Sequence, residues 1–232
     1  MATPLDTPPV PRRPGAALVV AVSGPSGAGK SSLIEALAAR LGDAARLHFD
    51  HYVTLGNDVG EITAWLEAGG DPDRVATPRL ASDLRRLIDG GWIERPHDGS
   101  HDGFHDGSHD GPHGRTRIGP AGFVILEEPF GRSRAEVGAL IDFAVHIDVP
   151  PDVALARRTL RLIAARPTMG DAAVLGEVEG QLRAFLAAGR EAYLAADRAA
   201  RAASDLVLDG MRPVDALVEE LLSAIAARRP PA

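Results

Sequence analysis

Among the 25 lysines and arginines of this chain only one, Lys30, is a lysine. It closes Gly24-Pro25-Ser26-Gly27-Ala28-Gly29-Lys30-Ser31, which reads G-x-x-x-x-G-K-S and is followed by Ser32. Glycines at these positions allow positive φ and let a phosphate approach the backbone. Successive N–H groups and a helix N-terminus then face the anion. A compact ammonium fits between two phosphates where a wide guanidinium fork does not, so a lysine kept here alone points to phosphate binding. The alternative is a glycine-rich turn with an incidental Lys-Ser.

Further residues have types and positions suited to chemistry on a phosphate. Asp50 follows the short apolar run Arg46-Leu47-His48-Phe49 and could be a base or a turn residue. Glu127 and Glu128 follow Gly122-Phe123-Val124-Ile125-Leu126, the pattern of an acid that orients Mg²⁺ or its waters. Spacing favours Glu127; a pair of exposed turn acids is the plainer reading. Arg157 and Arg161 lie four apart, with Arg158 beside them, and could clamp transferring phosphate charge or form a solvated helix face. Five of the eight histidines lie in the His-Asp-Gly tract at 97–114. A glycine in every repeat disfavours a helix that would stack them, so a lengthened loop is expected rather than a metal site.

The elements that must position these groups follow from hydrophobic periodicity. Ala17 to Val22 is a short buried strand, and Ser32 to Leu41 repeats its leucines at helical spacing. This strand, glycine turn and helix give the motif its required context. Strands are expected again at 46–49, 122–127, 143–149 and 205–208. Residues 54–76 read as irregular, anchored by Trp65. Thr77-Pro78 reads as cap and first turn of a helix ending at Gly90-Gly91. Residues from 150 open a helix carrying the arginines, 174–203 form a long amphipathic segment, and 214–227 a closing helix. The expectation is an α/β fold, a five-stranded, mostly parallel sheet with helices on both faces; the lid and substrate hairpin that complete it are what the resemblance described below implies. One domain over 16–228 follows a disordered, proline-rich tail over 1–15.

Bulk composition narrows the function classes. The formal net charge is −7 and there is no cysteine, so neither a basic nucleic-acid surface nor a disulfide framework is expected. No run of eighteen apolar residues exists, so no membrane partner is expected, and the cytoplasm is the expected compartment. Asn57 and Lys30 are the sole residues of their types, so the Asn-Lys-x-Asp guanine-reading motif of GTPases cannot occur.

Piecewise from about Ala17 to Ala226, the chain resembles the uridine kinase and phosphoribulokinase family of P-loop kinases. Besides the phosphate loop, Asp50-His51-Tyr52 is similar to the family's Asp-x-[Phe/Tyr]-Tyr segment, and Pro72-Asp73 to its Pro-Asp stretch. Pro96-His97-Asp98 and His113-Gly114-Arg115 resemble the two arms of its substrate hairpin. Asp152-Val153-Ala154-Leu155-Ala156-Arg157-Arg158-Thr159-Leu160-Arg161 resembles its lid helix. Departures are Glu127-Glu128-Pro129 for Glu-Gly, Leu162 for an aspartate, and His97 for a tyrosine. The resemblance implies ATP-dependent phosphorylation of a small-molecule hydroxyl, as on a nucleoside, with Mg²⁺. Residues 24–32 would hold ATP, and Asp50 would be the acceptor-side base. Ser31, Glu127 and Asp50 would serve the metal. Arg157, Arg158 and Arg161 would close over the phosphoryl group, and Tyr52, His113 and Arg115 would meet the acceptor. Self-association is left open. A P-loop ATPase without a small acceptor is the rival reading.

Overall fold

The structure, a computed structural model, describes residues 15–54, 59–96, 115–166 and 170–228. Most of the proline-rich tail and the His-Asp-Gly tract lie outside these residues. Five strands build one sheet in the order β2-β5-β1-β6-β7: β2 (Ala44–His48), β5 (Phe123–Glu127), β1 (Leu18–Ser23), β6 (Phe143–Asp148) and β7 (Leu206–Asp209). Every neighbouring pair in it is parallel. A separate antiparallel pair, β3 (Ile93–Pro96) and β4 (Arg115–Ile118), is the expected hairpin.

Alternation along β1 explains the two layers. Val20 and Val22 pack with Leu33, Ile34 and Leu37 of α1 (Lys30–Leu41) and with Leu217, Leu221 and Ile225 of α8 (Val214–Arg228). Val19 and Ala21 face the other way, onto Leu80, Leu84 and Leu87 of α3 (Leu80–Ile88). A parallel sheet covered on both faces needs apolar side chains on both sides of its central strand, and β1 supplies them.

Some expected bounds shift. Residues 59–67, expected to be irregular, form α2 (Val59–Glu67), whose Trp65 ring meets Phe130 edge-on and donates its Nε1–H to the Asp71 carbonyl at 2.8 Å. Helix α3 starts at Leu80 rather than after Thr77, with Arg79 before it in left-handed backbone at φ 74°. Thr77 does not cap it: its hydroxyl accepts from Arg134 Nη1 at 2.6 Å, and its carbonyl accepts the Leu80 N–H at 3.2 Å. After the short α4 (Ala135–Gly138) and α5 (Pro151–Ala164), the long amphipathic segment is α6 (Asp171–Ala184), a π-helical stretch Phe185–Gly189, and α7 (Arg190–Ala202).

Asp205 ties the start of β7 to its surroundings. It accepts from the Ala144 N–H at 2.8 Å and pairs with Arg132 at 2.6 Å and Arg228 at 2.7 Å. Burial pushes its carboxyl up, but the hydrogen bonds from Arg132 and Ala144 and the guanidinium charges outweigh it and leave it below its ordinary value.

Leu33→Ala should cost about 2–5 kcal/mol of stability in urea titration, because it leaves a cavity under a fully buried side chain. Asp205→Asn should lower Tm at neutral pH. A carboxyl depressed by folding stabilises above its unfolded pKa of about 4 and loses that contribution as pH falls further. The gap in Tm between Asp205→Asn and the parent should therefore narrow on acidification below that range.

Candidate active site

The phosphate loop lies between β1 and α1 at the carboxyl ends of the strands, where open α/β sheets bind ligands. Gly24, Gly27 and Gly29 all have positive φ, at 138°, 95° and 98°. Gly29 caps α1, and Pro25 O accepts the Ala28 N–H at 3.0 Å. A side chain at Gly27 is excluded on a second count: a Cβ there would stand 2.2 Å from the Ala154 carbonyl oxygen of α5. The arginine-bearing helix thus rests directly on the loop.

Parallel register decides what surrounds it. Glu127 lies opposite Val22 on β1 and His48 on β2, so its carboxylate is delivered to the loop's base. Lys30 Nζ stands 3.4 Å from Glu127 Oε1 and 3.3 Å from the Pro25 carbonyl, to which it donates. His48 Nδ1 is 2.9 Å from Glu127 Oε2. Burial pushes Glu127 up, but the His48 hydrogen bond and the Lys30 charge more than offset it and bring its pKa to about 2. Asp50 lies in a 3-10 turn (Phe49–His51) directly after β2 and is exposed to solvent. Enough protein surrounds it to raise its carboxyl above the ordinary range. Repulsion from Glu127 adds to that, while Lys30, His51 and His48 offset part of it.

The two consecutive glutamates have opposite surroundings. Glu128 is fully buried, paired with Arg134 at 2.5 Å, and accepts the Phe130 N–H at 3.3 Å. Arg134 also donates to the Val75 carbonyl at 3.2 Å. Glu128 is therefore part of the framework behind the site, and Glu127 alone of the two faces Lys30.

The expected lid arginines are not gathered over one point. Arg161 Nη2 donates to Ser26 Oγ of the loop at 3.3 Å. Arg158 donates to the Tyr193 hydroxyl of α7 at 3.0 Å, and Arg157 to the Gly210 carbonyl at 3.1 Å. Tyr52, expected on the acceptor, is buried, and its hydroxyl donates to Asp83 of α3 at 3.2 Å, which turns it away from the loop. Arg115 opens β4 opposite Pro96. His113 lies outside the described residues.

Sequence reading passed over His48 and a buried chain behind the loop. Ser23 Oγ lies 3.1 Å from His146 Nδ1, and His146 Nε2 lies 3.3 Å from Asp197 Oδ1 of α7. Neither carried a local signal: His48 meets Glu127 across the sheet, and Asp197 lies far along the chain from His146.

The donor set suits Mg²⁺, a hard cation that takes one or two carboxylates, water and substrate phosphates. Glu127, with a pKa lowered to about 2, favours the charged form, and Ser31 is the second residue of α1, next to Lys30. Among the described residues no three-ligand cluster of His, Cys, Asp or Glu occurs, and a cation bound largely through phosphates needs none.

No protein-family model matches the chain, and no curated protein matches its sequence. Solved structures do. A candidate fructose transport system kinase from Silicibacter sp. TM1040 superposes with a TM-score of 0.52 at 24% identity, covering 85% of this chain and 92% of that one. Shikimate kinase from Acinetobacter baumannii follows at 0.49 and 15% identity, over 93% of this chain and 96% of that one. A candidate uridine kinase from Bacillus stearothermophilus gives 0.48 at 16% identity, over 84% and 89%. Strand order, phosphate loop and the first of these superpositions agree: the chain has the α/β fold of the P-loop kinases.

Proposed function

We propose that the protein is an ATP-dependent kinase that phosphorylates a hydroxyl of a small metabolite, nucleosides being the first class to test. The observation that carries this is the pairing of a phosphate loop with Asp50, a carboxylate of raised pKa that directly follows β2 and lies within electrostatic reach of Lys30 and Glu127. A base works best when its pKa approaches the working pH, so the shift is in the useful direction.

The loop amides and Lys30 hold the β- and γ-phosphates. To reach them Lys30 gives up the Pro25 carbonyl and Glu127. Ser31 and Glu127 would hold a magnesium ion, which would supply neutralisation of charge on the phosphate oxygens. Asp50 takes the proton of the acceptor hydroxyl as its oxygen bonds to the γ-phosphorus and the bond to the β-phosphate oxygen breaks. Arg161, already on Ser26, lies nearest the loop; Arg157 and Arg158 need a lid movement to join it. A cavity of about 320 Å³ is lined by Asp73, Thr77, Arg79, Glu136 and Arg134, the last with its guanidinium 5.4 Å from the Phe49 ring. That volume suits a small polar molecule. Among the described residues no helix is long and apolar enough to cross a membrane.

Asp50→Asn should keep ATP affinity by calorimetry and lose about 10²–10⁴ in acceptor-dependent ADP release, since an amide cannot take the proton. A P-loop ATPase would behave differently: Asp50→Asn would spare hydrolysis and Glu127→Gln would remove it. Full acceptor-dependent turnover in Asp50→Asn would refute the assignment. Lys30→Arg should fold normally by circular dichroism and lose turnover, because the guanidinium fork does not fit between the phosphates. Activity within about threefold of the parent at saturating ATP would contradict that.

A further inference from the structure

His48, which contacts Glu127 beside Lys30, is left without a task by the phosphoryl-transfer scheme. It ends β2, in register with Glu127, which ends β5, so the two side chains lie next to each other on one sheet face. Their contact, Nδ1 to Oε2 at 2.9 Å, is shorter than that between Oε1 and Lys30 at 3.4 Å. An ionised carboxylate only accepts, so Nδ1 carries the proton and donates. Both side chains are largely shielded, at 24% and 15% exposure, so water does not readily replace this bond.

The two oxygens of Glu127 thus have different partners with different fates. Lys30 is a long, flexible ammonium whose remaining contact is the Pro25 carbonyl, and an arriving phosphate takes its protons. Once it turns, Oε1 has no partner among these groups. A glutamate side chain released at one oxygen can rotate about three bonds and follow the lysine, which would spoil any metal site built on it. His48 is short, rigid and seated on a sheet strand, and its bond to Oε2 does not depend on the nucleotide.

We propose that His48 is a positioning residue: it holds Oε2 of Glu127 so that Oε1 stays aimed at the phosphate loop after Lys30 turns to the nucleotide. The inference rests on the reading of Glu127 as the acid on the magnesium side. Partners of this kind typically change metal affinity by about 10–100-fold when removed, with little effect on metal-free binding.

The test uses the whole protein with ADP and Mn²⁺, the latter followed by its electron paramagnetic resonance signal, and needs neither acceptor nor turnover. His48→Ala should weaken Mn²⁺ binding to the ADP complex by about tenfold or more, while calorimetry of ADP without metal changes little. His48→Asn puts an amide nitrogen near the place of Nδ1 and should restore most of the affinity. His48→Gln reaches instead toward the place of Nε2 and should not. Adding His48→Ala to Glu127→Gln should cost nothing further, since the two act as one unit. Mn²⁺ affinity in His48→Ala within about threefold of the parent would overturn the proposal, given the range expected for such partners. An Asn variant as weak as Ala would overturn it too, as would full additivity with Glu127→Gln. Should His48→Ala fail to fold, the Asn and Gln variants decide alone. Absence of acceptor-dependent turnover in the parent would count against the kinase reading and leave these binding results standing.

Discussion

Parallel register is the constraint on which the site depends. Val22 opposite Glu127, and Glu127 opposite His48, bring three chain segments to one level at the carboxyl end of the sheet. A slip of one residue along β5 would exchange Glu127 for Glu128 on that face. The hydrophobic pattern forbids the slip. Val124 and Leu126 are needed in the layer under α3, and Ile125 in the layer under α1. Packing far from the loop therefore fixes which carboxylate meets Lys30.

The same alternation separates two jobs between neighbours. Glu127 points to the cleft and stays charged; Glu128 points inward and spends its charge on Arg134. A buried pair of this kind adds little net stability, because desolvation opposes the attraction, but leaving either partner alone is costly. What the pair does secure is geometry. Arg134 reaches the Val75 carbonyl and the Thr77 hydroxyl, so the segment before α3 is fixed to the end of β5.

The fold was legible because its signals are local: the apolar run of β1, the glycine turn and the leucine spacing of α1 each lie within a few residues. The mostly parallel sheet and the hairpin followed from element order. Two stretches were misread. The helix Val59–Glu67 is held by Trp65 against Phe130, a partner remote in sequence, and the start of α3 moved because Arg134 engages Thr77. Near the loop, the positions of Asp50 and Glu127 after their strands were readable from the sequence. The contact of Tyr52 with Asp83 was not readable, because the two lie far apart in the sequence. His48 and the Ser23–His146–Asp197 chain went unread for the same reason: their meaning lies in cross-strand pairing, which one sequence does not display.

Gly27 has one more consequence. Its missing side chain lets the Ala154 carbonyl rest against the loop, with no room left between them. Loop and helix then form a mechanical joint without slack, and a change of loop shape must be taken up by α5. Leu160 and Ile163, on the outward side of that helix, are exposed to solvent. A fluorophore attached at either position would report a change in loop shape from outside the loop, by way of α5.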